Sequence, residues 1–188
     1  MARDHHLGLP LTTGLMAVLA TALLFALIAY EVRSKGTLTH LDEQLADWFH
    51  QHAFTPLTEL VLGYTHLHGT IGVLVMGALL LWDMVRKQRW AWVTNLLLVL
   101  PGGMLCNFTL KHIFARLRPS FDDPILVLHS YSFPSGHTIG ATLLYAMLAA
   151  YLLNQPGVTA AIGARLKTGE RGVQAAVIGA ALLLVALT

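Results

Sequence analysis

Charge is what this sequence has least of. Lys, Arg, Asp and Glu make up 12% of its 188 residues, against 55% hydrophobic ones, and a soluble domain of this length carries about twice that charged share. A globular domain with a large core is therefore not expected. A net charge of +2, with no basic tract beside interleaved aromatics, excludes a nucleic-acid partner. The single cysteine, Cys106, rules out an intrachain disulfide and a thiolate metal site. Its apolar surroundings predict a small buried hydrophobe. No low-complexity linker, long charge run or convincing repeat divides the chain, so one domain over 1–188 is expected.

What the sequence has is apolar length. Leu11 to Tyr30 is apolar for about 20 residues, which is spanning length and too long for a signal-peptide core. No A-x-A-like site closes it before Glu31, and it reads as a retained first membrane helix. Four further blocks follow. Leu57 to Trp82 is interrupted by Gly63, His66 and His68, which leaves Thr70 to Trp82 as its clean part. The others are Ala91 to Leu110, Thr138 to Leu153 and Val173 to Thr188. Lipid offers the backbone no hydrogen bonds, so the blocks should be helices; they lack the alternation of barrel strands. The expected fold is all-α, a polytopic membrane helix bundle. Pro101-Gly102-Gly103 predicts a kink or close helix packing in the third span. Between the first two spans, Leu38, Leu41, Leu45, Trp48 and Phe49 recur at helical spacing opposite Asp42, Glu43 and Asp47. That pattern predicts an interfacial amphipathic helix over Thr37 to His52, with Thr39 as its cap.

Basic residues in short loops orient such a bundle. Arg86, Lys87 and Arg89, flanked by Trp82, Trp90 and Trp92, belong on the cytoplasmic side, as do Arg165, Lys167 and Arg171; Arg3 agrees. The connection from Lys111 to His137 then faces outward. Ionisable residues deep within the spans are few, and the main polar intrusions, Asn95 and Asn107, are uncharged. A transporter or channel would show more.

That outward connection carries the chemistry. Lys111 ends the third span, and Arg118-Pro119 follows after six intervening residues. If the helix runs on to Pro119, about two turns separate the cations and both share a face. Arg offers a fork matched to phosphate oxygens. Pro134-Ser135-Gly136-His137 opens the next span. Ser135 suits the N-cap, Gly136 lets a ligand approach the backbone, and the free amides and dipole of the helix start favour a phosphate. His137 in the first turn can hold a proton and give it to a leaving oxygen. Each half has a plain alternative, a snorkelling cation or a turn and cap; both halves on one membrane face point to an anion site.

Lys111-x6-Arg118-Pro119 followed by Pro134-Ser135-Gly136-His137 resembles the first two signature motifs of the PAP2 phosphatases, a family that includes bacterial lipid-phosphate and undecaprenyl-pyrophosphate phosphatases. The layout is similar to its six-helix bacterial members over essentially the whole chain. The resemblance implies a lipid phosphate or pyrophosphate phosphatase in a bacterial plasma membrane, its site on the outer face. It also implies a phosphohistidine intermediate, with no metal and no cofactor. Lys111, Arg118, Ser135 and Gly136 would bind the phosphate, and His137 would protonate the leaving group. The family's third motif, Ser-Arg-x5-His-x3-Asp, supplies the nucleophile and opens a sixth helix. No histidine follows His137, so five of six spans, a chain incomplete at its C-terminus and no turnover are expected. A non-catalytic protein that binds lipid phosphate is the alternative. The pairs His50-x-His52 and His66-x-His68 lack clustered carboxylate or cysteine partners and, like His5-His6, read as interfacial polar residues rather than metal ligands; His112 is expected to face headgroups or a neighbour, and His129, in the outer loop, is the least implausible substitute for the missing nucleophile.

Overall fold

The structure, a computed structural model, describes residues 5–188, with side chains from residue 11. Arg3 and the side chains of His5 and His6 lie outside the described residues. Eight helices and no strand occur among the described residues: α1 (His5–Ser34), α2 (Thr37–Gln51), α3 (Thr55–Leu67), α4 (Thr70–Arg86), α5 (Trp90–Phe114), α6 (Gly136–Leu153), α7 (Pro156–Leu166) and α8 (Glu170–Ala186). Three of them, α1 from Leu11 onward, α5 and α6, are long and apolar enough to cross a membrane alone. The pairs α3–α4 and α7–α8 qualify only together, bent by 55° and 93°, which brings the possible spans to five. The all-α membrane architecture expected from the apolar blocks is therefore present.

By contacts the chain falls into two compact units, residues 1–52 with 116–129, and residues 53–115 with 130–188. In the first unit, α1 exposes its apolar side chains along most of its length, as a helix surrounded by lipid must. The start of α2 is tied to α1 through Glu31, whose carbonyl accepts from Gly36 N–H at 2.9 Å and whose carboxylate accepts from Leu38 N–H at 3.3 Å. Gly36, not Thr39, is the N-cap of α2. Thr39 sits buried inside the helix and donates to the Glu31 carbonyl at 3.2 Å. Arg116 pairs with Asp42 at 2.6 Å, and His50 pairs with Asp123 at 3.1 Å while stacking on Phe121. Residues 116–129 are thereby fastened to the polar side of α2.

In the second unit, α4, α5 and α6 pack around Val73, Leu80, Met84, Val93, Leu96, Leu100, Leu144, Met147 and Tyr151. The buried positions of α4 (Val73, Gly77, Leu80, Met84) keep the three-and-four spacing of one helix face. Glycines allow the close approach expected at Pro101-Gly102-Gly103: a Cβ on Gly103 would stand 2.3 Å from the Leu143 side chain on α6. One expectation fails here. Cys106 is exposed on the outer side of α5 rather than buried, because the core face of that turn is taken by Asn107. The link from the fourth to the fifth span contains a helix of its own, α7, whose 11 residues are too short to cross a membrane alone.

A candidate phosphate site at the ends of α5 and α6

The core-facing stripe of α5 runs Val93, Leu96, Leu100, Asn107, Lys111. Its inner part is aliphatic, and its last two members are polar and buried, with Lys111 only 7% exposed. A buried ammonium is costly unless partnered, and Lys111 Nζ donates to the Tyr131 carbonyl. The same stretch is held to the end of α5 by Phe133 edge-on to Phe114 at 5.1 Å and by Tyr131 edge-on to His112 at 5.6 Å. These contacts set the entry to α6 beside Lys111.

Ser135 is the N-cap of α6, as its position before the apolar run predicts: Oγ accepts from Thr138 N–H at 3.3 Å and from Thr138 Oγ1 at 3.1 Å. Both lone pairs are then occupied, which leaves its hydroxyl hydrogen to donate. Gly136 is the first helical residue. A Cβ built on it would stand 3.3 Å from Asn107 Nδ2 and 3.7 Å from Lys111 Cε. The lysine and the start of α6 thus share one small neighbourhood, and glycine keeps it clear. His137 is half-buried, and its ring reaches the α3–α4 elbow, with Nε2 3.9 Å from a Cβ built on Gly69.

Arg118 is placed differently from expectation. The α5 helix ends at Phe114, where Ala115 takes the left-handed conformation (φ 46°, ψ 33°) and its N–H returns to the Lys111 carbonyl at 2.8 Å. Arg116 to Pro119 is non-helical, so Lys111 and Arg118 do not share a helix face. Three residues separate the left-handed Ala115 from Pro119, and the chain leaves the helix before proline can end it. Arg118 belongs to the first unit and is half-buried; loss of water pushes its guanidinium pKa down, though an arginine stays charged at any physiological pH. Lys111, Ser135, Gly136 and His137 come together in the second unit.

Two residues carry more than their sequence context indicates. His68 is not interfacial: it is 1% exposed, with Nδ1 at 2.9 Å from the Tyr64 carbonyl and Nε2 at 2.6 Å from the Tyr145 hydroxyl. Asn107 appears in sequence only as a polar interruption, yet it borders Gly136. The signal was available in its spacing, one turn before Lys111 on the same helix face.

Residues 92–188 match the family described as the PAP2 superfamily. Over 98 residues the chain is 34% identical to phosphatidylglycerophosphatase B of Bacillus subtilis (strain 168), an alignment that covers 52% of this chain and 47% of that protein. The chain thus spans about half the length of this curated relative. Its structure resembles the crystal structure of a transmembrane PAP2-type phosphatidylglycerolphosphate phosphatase from Bacillus subtilis, with a TM-score of 0.70 and 25% identity, over 88% of this chain and 78% of the other. The family match takes in just over half of the chain and includes both Lys111-x6-Arg118-Pro119 and Pro134-Ser135-Gly136-His137, and on that ground this protein belongs to the PAP2 superfamily.

Proposed function

We propose that this chain carries the phosphate-binding elements of a lipid phosphatase whose substrate is a phosphomonoester of the phosphatidylglycerophosphate kind. The observation that carries the reading is the meeting of the buried Lys111 with the Ser135–His137 helix start around Gly136. Lys111 neutralises a phosphoryl oxygen, and the Ser135 hydroxyl and the amides of the first turn donate to others. Such fixed donors cost no reorganisation as charge builds on the phosphoryl group. Where the family's third-motif histidine attacks phosphorus and forms the P–N bond of the phosphohistidine, His137, when protonated, gives its proton to the glycerol oxygen as the P–O bond breaks. Arg118 is assigned to phosphate binding by its motif spacing alone, and its guanidinium fork suits phosphate oxygens. Outward placement of the site rests on the basic links on the other face, and the names of the two Bacillus subtilis relatives support the lipid class.

The attacking nitrogen of the family mechanism has no counterpart after His137. This favours binding without turnover for these 188 residues. The test uses the detergent-solubilised chain. Inorganic phosphate should bind, Lys111→Met should weaken it by about tenfold or more, and phosphatidylglycerol phosphate should release no phosphate. A longer chain that adds the third motif should release phosphate in EDTA, and His137→Ala should abolish that release. Equal binding by Lys111→Met sinks the site; release by the 188 residues alone sinks the inactive reading.

A further inference from the structure

Threonines on the helices of this protein share one habit. Thr21, Thr58, Thr94, Thr109 and Thr142 each donate from Oγ1 to the carbonyl four residues earlier, at 2.6–3.1 Å. Thr138 differs. It stands at the third helical position of α6, where the residue four earlier lies outside the helix, and its Oγ1 donates to Ser135 Oγ at 3.1 Å. Capping alone does not ask for this bond. An N-cap oxygen accepts from the N2 or N3 amide, and Thr138 N–H already fills that role at 3.3 Å. A side chain at the third position that joins in capping ordinarily accepts from the N-cap N–H. Thr138 instead brings a second donor to an oxygen that already has one.

What the second donor settles is the direction of a hydrogen. A serine hydroxyl has one hydrogen and two lone pairs, and unrestrained it turns among three staggered positions. With both lone pairs held by Thr138, the hydrogen is left the remaining direction, away from the two donors. Two donors into one oxygen also polarise its O–H and strengthen it as a donor in turn. Ser135 is exposed at the end of α6 and adjoins Gly136, beside which Lys111 lies.

We propose that Thr138 is a positioning residue of the phosphate site: by filling both acceptor positions of Ser135 Oγ, it presets the Ser135 hydroxyl as a donor to a phosphoryl oxygen. The inference rests on the phosphate-site reading above, in which that hydroxyl donates to the bound group. It adds a residue that acts through Ser135 and does not itself touch phosphate. A hydroxyl free to turn serves in one of its three positions, at a loss of about threefold in affinity. A preset donor avoids that loss.

Calorimetric titration of inorganic phosphate into the detergent-solubilised chain tests the arrangement. Thr138→Val keeps the branched shape and the capping N–H, and it should weaken phosphate by about threefold or more. Thr138→Ser returns the hydroxyl and should bind within about twofold of wild type. Ser135→Gly removes the donor with little loss of capping, and it should weaken phosphate by about tenfold. Adding Thr138→Val to Ser135→Gly should cost nothing further, because no hydroxyl is left to direct. A threonine that only steadied the helix would give additive losses, and that result overturns the inference. So does undiminished binding by Thr138→Val, or tighter binding, which would mean that Ser135 had been donating to Thr138. If wild type binds no phosphate, the site itself fails; if Ser135→Gly binds as wild type does, Ser135 leaves the site. This inference falls with either.

Discussion

At the residue scale, the polar groups of the second unit divide by burial, and burial decides what their removal costs. His68 and Tyr145 share a 2.6 Å hydrogen bond in a place closed to water. Tyr145→Phe removes the partner and leaves an imidazole nitrogen buried and unsatisfied. The expected cost is about 1–3 kcal/mol of unfolding free energy, read from the denaturation midpoint of the solubilised chain. His50 and Asp123 are also 3.1 Å apart, but Asp123 is 93% exposed, and Asp123→Asn should leave that midpoint unchanged. If the two substitutions shifted it equally, His68 would not be the buried anchor described here. Sequence alone could not separate these histidines. Both stand in His-x-His pairs with similar neighbours, and only the packing of α6 against the α3–α4 elbow encloses one of them.

At the element scale, the α3–α4 elbow governs what lies beside His137. The helices bend by 55° around His68–Gly69. Gly72, in the first turn of α4, carries the tight point: a Cβ there would lie 1.9 Å from the Leu67 carbonyl oxygen. Backbone cannot swing aside as a side chain does. Gly72→Ala should therefore open the elbow and lower the unfolding midpoint. Gly63, on α3 with nothing within 4 Å of an added Cβ, serves as the contrast, because alanine there should stabilise by about 0.5–1 kcal/mol through helix propensity. Thermal unfolding of the pair checks both signs; a stabilising Gly72→Ala would remove the steric argument. The end of α5 is the matching lesson. Proline at position 119 suggested a helix running to it, but the left-handed turn at Ala115 ends the helix earlier. Local sequence carries no glycine to announce that turn, and the packing of Phe114 on Phe133 holds the chain beyond it.

At the scale of the whole molecule, the distribution of basic residues predicts which end of the bundle faces out. The α4–α5 link holds Arg86, Lys87 and Arg89, and Lys87 is further fixed by Asp83 at 3.0 Å. In a Cys106→Ser background, Ser130→Cys should react with a membrane-impermeant maleimide on intact cells, and Gln88→Cys only after permeabilisation. The reverse pattern would place the phosphate site on the inner face.

Composition and block length by themselves determined that this is a helical membrane protein, because about 20 apolar residues are what a bilayer crossing demands. Position before an apolar run determined the Ser135 cap, because a helix start needs a side-chain acceptor, and the two motifs lie within the stretch that places the chain in the PAP2 superfamily. Tertiary structure alone decided that Lys111 leans on Tyr131, that α5 stops short of Arg118, that His68 is sealed from water, and that Asn107 sets its amide nitrogen beside Gly136. Each of these depends on which neighbour arrives from a distant part of the chain, and helical period carries no record of that.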